Sequence, residues 1–203
     1  YAELGPTHHS LEDMAILRTL PGMRVLAPCD STELRLALRA VLQEKGPAYI
    51  RIGKKGEPAI HATPPEFQIG RAIVVRPGKD IALLVAGNMM AETLRSAESL
   101  AEQGVSAEVV SFHTVKPLDE SYLQAAVSRF RFIATVEEHG VIGGFGSAVA
   151  EWRAQAGVSL PQLIFGTGDE FMHEVGSQSY ARAKYGLTAD NIVRRVQAAL
   201  SRS

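Results

Sequence analysis

Two adjacent histidines, His8 and His9, follow a Gly5-Pro6-Thr7 turn and precede an apolar segment with helical spacing. Imidazole titrates near neutrality, so a pair delivered by a tight turn can relay protons or hold a polarised oxygen. Thr7 or Ser10 could cap the following helix, leaving His8 at its mouth. The plainer alternative is a surface turn with two solvated histidines. His8 with Glu12 and His9 with Asp13 have i,i+4 spacing, but no third ligand accompanies them, so no metal site is expected there. Arg51 lies at the end of the apolar stretch AYIRI. Ligands of open α/β sheets collect at the carboxyl ends of strands. A guanidinium there can grip a phosphate or carboxylate with two hydrogen bonds, or it can simply be an exposed basic strand end. A third candidate runs from Glu137-Glu138-His139-Gly140 to Gly143-Gly144-Phe145-Gly146. Its backbone amides could cradle an anion, although the pattern is not GxGxxG and the glycines equally suit close helix–strand packing. The segment 112–119 also follows a strand and could line a cleft or an interface. Cys29, the single cysteine, reads as a small buried residue, with nothing nearby to mark an activated thiolate.

These residues need a scaffold, and the hydrophobic pattern supplies one. A helix is expected over 11–20, a strand over 23–27 and a helix over about 31–44, the last opened by Asp30 and Glu33 as a capping box. A strand follows at 48–52. Two helices and two short strands bury too little surface to stand alone, so residues 1–60 should complete a sheet supplied from elsewhere. Residues 61–79 read as a linker, with an extended pair or hairpin over 67–76. From residue 80 onward strands alternate with helices: strands at 81–86, 107–112, 132–137 and 161–166, and helices at 90–103, 117–128, 147–156, 177–184 and 189–201. Such alternation predicts a three-layer αβα domain over 80–203 with a mostly parallel sheet.

The chain has 203 residues, 46% of them hydrophobic, and a net charge of −1. That composition can bury a core, and the balanced charge argues against a nucleic-acid or anionic-membrane binder. One cysteine excludes an internal disulfide framework. No apolar run reaches the length of a membrane span, and a cytoplasmic location is the default expectation. The chain starts with Tyr1, and its first ten residues read as the middle of something larger.

The segments GPTHHSLEDMAILRTLPGM, APCDSTE, GPAYIRIGK, IALLVAGNM, VVSFHTVKPLD and TVEEHGVIGGFGSAVAE resemble, in order, the C-terminal half of transketolase: the end of its pyrimidine-binding domain and its C-terminal domain. The resemblance implies thiamine diphosphate chemistry, in which a two-carbon ketol unit passes between sugar phosphates. It implies that His8 is the family histidine near the cofactor and the substrate oxygen, and that Arg51 holds the substrate phosphate. His9 stands where transketolases often carry Gln and deoxyxylulose-phosphate synthases carry His. Leu4 replaces an Asp that usually binds a substrate hydroxyl. The activating glutamate and the domain for the diphosphate and Mg²⁺ lie upstream in the family. The chain alone is therefore expected to be inactive and to hold no cofactor. Its implied partners are a second copy or an N-terminal transketolase subunit. A deoxyxylulose-phosphate synthase, a β-type 2-oxo-acid dehydrogenase role, or a non-catalytic assembly module are the alternatives.

Overall fold

The computed structural model describes residues 4–5, 8–9, 11–53 and 56–201. Among them the large sheet has the order β3-β5-β4-β7-β8, formed by β3 (Ile73–Arg76), β4 (Ile81–Ala86), β5 (Ala107–Ser111), β7 (Ile133–Gly140) and β8 (Gln162–Thr167). Four strands are parallel, and β3 joins the β5 edge antiparallel. β3 is thus a single edge strand, and the hairpin expected over 67–76 does not form. A short apolar run shows that a strand is present; it does not say which distant edge it will join.

The central strand β4, IALLVA, is buried along its whole length. Its alternate side chains face opposite layers, as strand geometry requires. Ile81, Leu83 and Val85 pack on one side with Met90, Ala97 and Leu100 of α3 (Met90–Glu102) and Ile192, Val193 and Val196 of α7 (Ala189–Leu200). Ala82, Leu84 and Ala86 pack on the other side with Leu123 and Ala126 of α4 (Glu120–Arg129) and Phe145, Val149 and Trp152 of α5 (Phe145–Ala156). Each large apolar side chain so buried contributes about 1.5–3 kcal/mol. This is the three-layer αβα arrangement, and the winding reverses beside β4.

The N-terminal part contains α1 (Asp13–Arg18), β1 (Arg24–Leu26), α2 (Ser31–Gln43) and β2 (Ala48–Ile50). β1 pairs parallel with β2, and its other edge takes β6 (Thr114–Lys116) antiparallel. The small sheet is therefore extended from within the same chain, by the segment the sequence marked as a cleft or interface. Lys116 Nζ donates to the carbonyls of Arg18 and Leu20 (2.8 and 2.6 Å), satisfying acceptors at and just past the end of α1. Arg18 forms a two-pronged pair with Glu151 of α5 (3.0 and 2.5 Å) and also donates to the Gly143 carbonyl.

Asp30 caps α2, its Oδ1 accepting from the amides of Thr32 and Glu33 (2.9 and 2.8 Å). The reciprocal half of the expected box is displaced: Glu33 accepts from the Cys29 amide at 2.8 Å. α1 begins at Asp13 behind Glu12, which makes no side-chain cap. His8 is therefore not at the helix mouth, and Thr7 and Ser10, named as possible caps, lie outside the described residues. The last short helix, α6 (Gln178–Lys184), follows β8.

Candidate active site

The carboxyl ends of β1, β2, β4, β7 and β8 converge on one cleft of about 670 Å³. This is the crevice where doubly wound sheets place ligands, at the point where the winding reverses. His8, His9 and Arg51, the three residues singled out in the sequence, all line it.

The turn that delivers the histidines depends on Gly5. Its φ is +71°, and a Cβ there would stand 3.2 Å from Val175 Cγ1, so a larger residue meets both backbone strain and a neighbour. The His8 amide donates back to the Gly5 carbonyl at 3.0 Å, closing the turn. His8 is exposed in the cleft mouth and His9 half-buried.

Arg51 follows β2 directly, its own amide continuing the ladder to the Leu26 carbonyl at 2.8 Å. Its guanidinium pairs with Asp13 (Nε to Oδ2, 3.3 Å) and donates to the Glu138 carbonyl at 2.7 Å. Tyr49 donates its phenol to the same Asp13 Oδ2 at 2.6 Å. Burial and that bond to a carboxylate push the Tyr49 phenol up to about 12, so it remains a donor across the physiological range. The belt continues through Glu138, whose carboxylate accepts from Arg182 Nε (2.6 Å), Gln178 Nε2 (2.9 and 3.1 Å) and Asn88 Nδ2 (3.3 Å). Asn88 also donates to Glu57 (3.4 Å), whose carboxyl burial pushes above its usual range. One polar network thus crosses from β2 and α1 to β7 and α6, with Arg51 at its middle.

Behind the belt lies His139, fully buried. The Ala15 amide donates to its Nε2 at 3.3 Å, which puts the proton on Nδ1, where it meets the Gly140 carbonyl at 2.7 Å. Burial holds this imidazole below its usual range, so it is neutral at pH 7. Asp13 Oδ1 lies 3.9 Å from Nε2 and is a buried atom without a hydrogen-bond partner.

The glycine loop does not cradle a foreign anion. Glu137 already fills it, accepting from the amides of Phe145 and Gly146 at 2.6 and 2.7 Å. A Cβ on Gly144 would collide with the Glu137 carboxylate and the His139 ring. One on Gly146 would lie 2.7 Å from Ile164 Cγ2 and 2.8 Å from Thr135 Oγ1. The glycines are there for close packing, the plainer of the two sequence readings. Burial pushes the Glu137 carboxyl up to about 7, against the pull of its two amide bonds. Because the folded value exceeds the ordinary one, the linked stability is full below about 4.5 and is lost as pH rises through 7. The melting temperature of the wild-type chain should fall between pH 5 and 8, and Glu137→Gln should start lower and lack that slope. Melting curves at stepped pH check both.

The sequence singles out the histidines and Arg51 as candidates, and the cleft brings them together; the residues that hold them have no such mark. Asp13 drew notice only for its spacing from His9. Arg182, Gln178 and Asn88 carry no local signal, because an ordinary basic or amide residue becomes a site residue only when the winding brings it to β7.

Fold and cleft together define an α/β protein with a polar-lined crevice at the carboxyl ends of its parallel strands. Residues 1–57 match the transketolase pyrimidine binding domain and residues 70–192 the transketolase C-terminal domain. The chain belongs to the transketolase family and corresponds to the C-terminal part of a transketolase-like enzyme. It is 43% identical over 194 residues to the 6-deoxy-6-sulfo-D-fructose transketolase subunit SqwH of Clostridium sp. strain MSTE9, covering 95% of this chain and 60% of that protein. It is 39% identical to a 1-deoxy-D-xylulose-5-phosphate synthase of Thermomicrobium roseum, covering 98% of this chain and 32% of that one. The structure of a split-gene transketolase, an inactive β4 tetramer, matches with a TM-score of 0.87 at 35% identity, covering 97% of this chain and 63% of that one. The chain therefore spans about three-fifths of the transketolase subunit and C-terminal section it matches and about a third of the synthase.

Proposed function

We propose that this chain forms one wall of a thiamine-diphosphate-dependent active site that transfers a two-carbon ketol unit between sugar phosphates, and that it is inactive alone. The observation that carries the reading is the convergence of His8, His9 and Arg51 on one cleft in a chain of this family. The residues fit the substrate side of such a site. Two imidazoles can meet carbonyl and hydroxyl oxygens, and a guanidinium set beside them suits an anionic tail. The loop Gly143–Gly146 does not offer a diphosphate cradle, because Glu137 fills it. The diphosphate and Mg²⁺ would be held by sequence outside this chain or by a partner.

When bound in the complete enzyme, thiamine diphosphate supplies the nucleophilic carbon and electron sink for cleaving the bond beside a ketose carbonyl. His8 hydrogen-bonds the substrate oxygen and moves its proton as the carbonyl becomes an alcohol or the reverse. His9 orients a neighbouring oxygen, and Arg51 anchors the phosphate. The Tyr49–Asp13–Arg51 contacts hold that anchor in place. A partner, either an N-terminal transketolase subunit or a second copy, completes the site in a soluble, cytoplasmic assembly. The small sheet agrees with this, since β2 is its outer strand and Leu42 and Ile52 nearby are 78% and 63% exposed.

The synthase-type alternative is favoured by His9 and by relatives such as that of Thermomicrobium roseum. A donor assay on the complete enzyme separates the two. Turnover of ketose phosphates without pyruvate supports ketol transfer. Pyruvate-dependent product formation supports the synthase reading, and no turnover of either donor overturns the proposal.

A further inference from the structure

Away from the cleft, a second polar cluster lies where β1, α2 and the segment before β3 meet β5. Cys29, Asp30 and His61 bring potential ligand atoms within 4.8 Å of one another. Asp30 is already saturated: Oδ1 accepts from the Thr32 and Glu33 amides, and Oδ2 from those of Ile60 and His61 at 2.9 and 3.1 Å. Glu33 is better placed. It is fully buried, and its Oε1 lies 3.0 Å from His61 Nε2, which in turn lies 3.9 Å from Cys29 Sγ.

These separations resemble the edges of a coordination tetrahedron. Bonds of about 2.3 Å to sulfur and about 2.0 Å to nitrogen and oxygen put S and N roughly 3.6 Å apart and N and O roughly 3.3 Å apart. Ser111 Oγ, fully buried, is within hydrogen-bonding reach of Cys29 and Glu33. One further observation points to a missing occupant. His113, also fully buried, uses Nδ1 on Thr114 Oγ1 at 2.9 Å, while its Nε2 has no partner and its ring feels the charges of both Glu33 and His61. Native proteins seldom leave such atoms unsatisfied.

We propose that Cys29 Sγ, His61 Nε2 and Glu33 Oε1 bind a zinc-class divalent ion, with the fourth position on the side of Ser111 and His113. A thiolate, a carboxylate and neutral imidazole balance the ion's charge, as burial demands. Coordination converts the thiol to the thiolate and releases its proton. Cys29 and Glu33 are buried and His61 is largely so, and no reactive group of the cleft is among them, so the role is structural. It staples the start of α2 and the segment around residue 61 to β5. Pro28, next to Cys29, lines the cleft, so the staple also steadies one cleft wall. The inference is independent of the sugar chemistry above.

The test uses the chain purified whole, stripped with chelator, and titrated with Zn²⁺ and separately with Co²⁺. One ion per chain is expected, with a thiolate-to-cobalt charge-transfer band. At 100-fold excess over Kd, Zn²⁺ should raise Tm by about 5–10 °C. Cys29→Ser and His61→Ala, checked for folding by circular dichroism, should lose the band and the Tm shift. The wild-type cobalt spectrum needs no variant to fold. A spectrum without the thiolate band, or binding that persists undiminished in folded Cys29→Ser and His61→Ala, overturns the proposal.

Discussion

His8→Ala should cut kcat of the complete enzyme on the order of 10²-fold or more, the scale of a positioned acid–base group, while leaving the melting temperature close to wild type. The two halves of this expectation come from different observations. His8 is exposed in the cleft mouth and belongs to no hydrophobic cluster, so its removal opens no cavity. The turn that presents it is closed by its own backbone amide on the Gly5 carbonyl, which alanine preserves. Loss of rate therefore reports lost proton handling. If the chain were an assembly module that only packs subunits together, the reconstituted complex would keep its turnover. Steady-state kinetics with the partner portion present, alongside melting curves, decide between the two. Unchanged kcat in His8→Ala would remove this chain from the chemistry.

The contrast between His8 and its supports explains what the sequence could and could not reveal. β4, α2, α3 and α7 were legible because each carries its own period: IALLVA is apolar throughout, and the helices are amphipathic and capped or glycine-terminated. α1 is two residues shorter at each end than its apolar spacing predicts, since Leu11 and Leu20 fit the spacing without joining the helix. The antiparallel partners β3 and β6 were not legible, because pairing with β5 and β1 is decided by distant edges. The same division holds in the site. Gly5-Pro6-Thr7-His8-His9 and the strand-terminal Arg51 are local patterns. The Glu138–Arg182 pair joins β7 to α6 across 44 positions of sequence, and neither residue has any local mark of it. Glu137 was noticed as an acidic strand end, but only the fold reveals that it fills the glycine loop it seemed to leave open.

Arg51→Gln should carry the other large effect, and its pattern should differ from that of His8. Hydrogen bonds to charged groups contribute about 1.5–3 kcal/mol each, so loss of a phosphate anchor should lower kcat/KM for a phosphorylated ketose roughly 10- to 100-fold. The loss should fall mainly on KM, because an anchor remote from the reacting carbon binds ground state and transition state alike. Stability should fall as well. Arg51 is the charge partner of Asp13, whose side chain is only 9% exposed, and removing it leaves that buried carboxylate with the Tyr49 phenol on Oδ2 and no hydrogen bond on Oδ1. A lower Tm alone would not establish a ligand role, so the deciding comparison is between substrates. With a phosphorylated and an unphosphorylated ketose assayed side by side, a missing anchor penalises only the first, whereas a disordered cleft penalises both equally. Arg51→Lys sharpens the result, since ammonium keeps a charge near Asp13 but cannot span Asp13 Oδ2 and the Glu138 carbonyl together as the guanidinium does. Equal losses for both ketoses would reduce Arg51 to a structural member of the belt that joins β2 to β7.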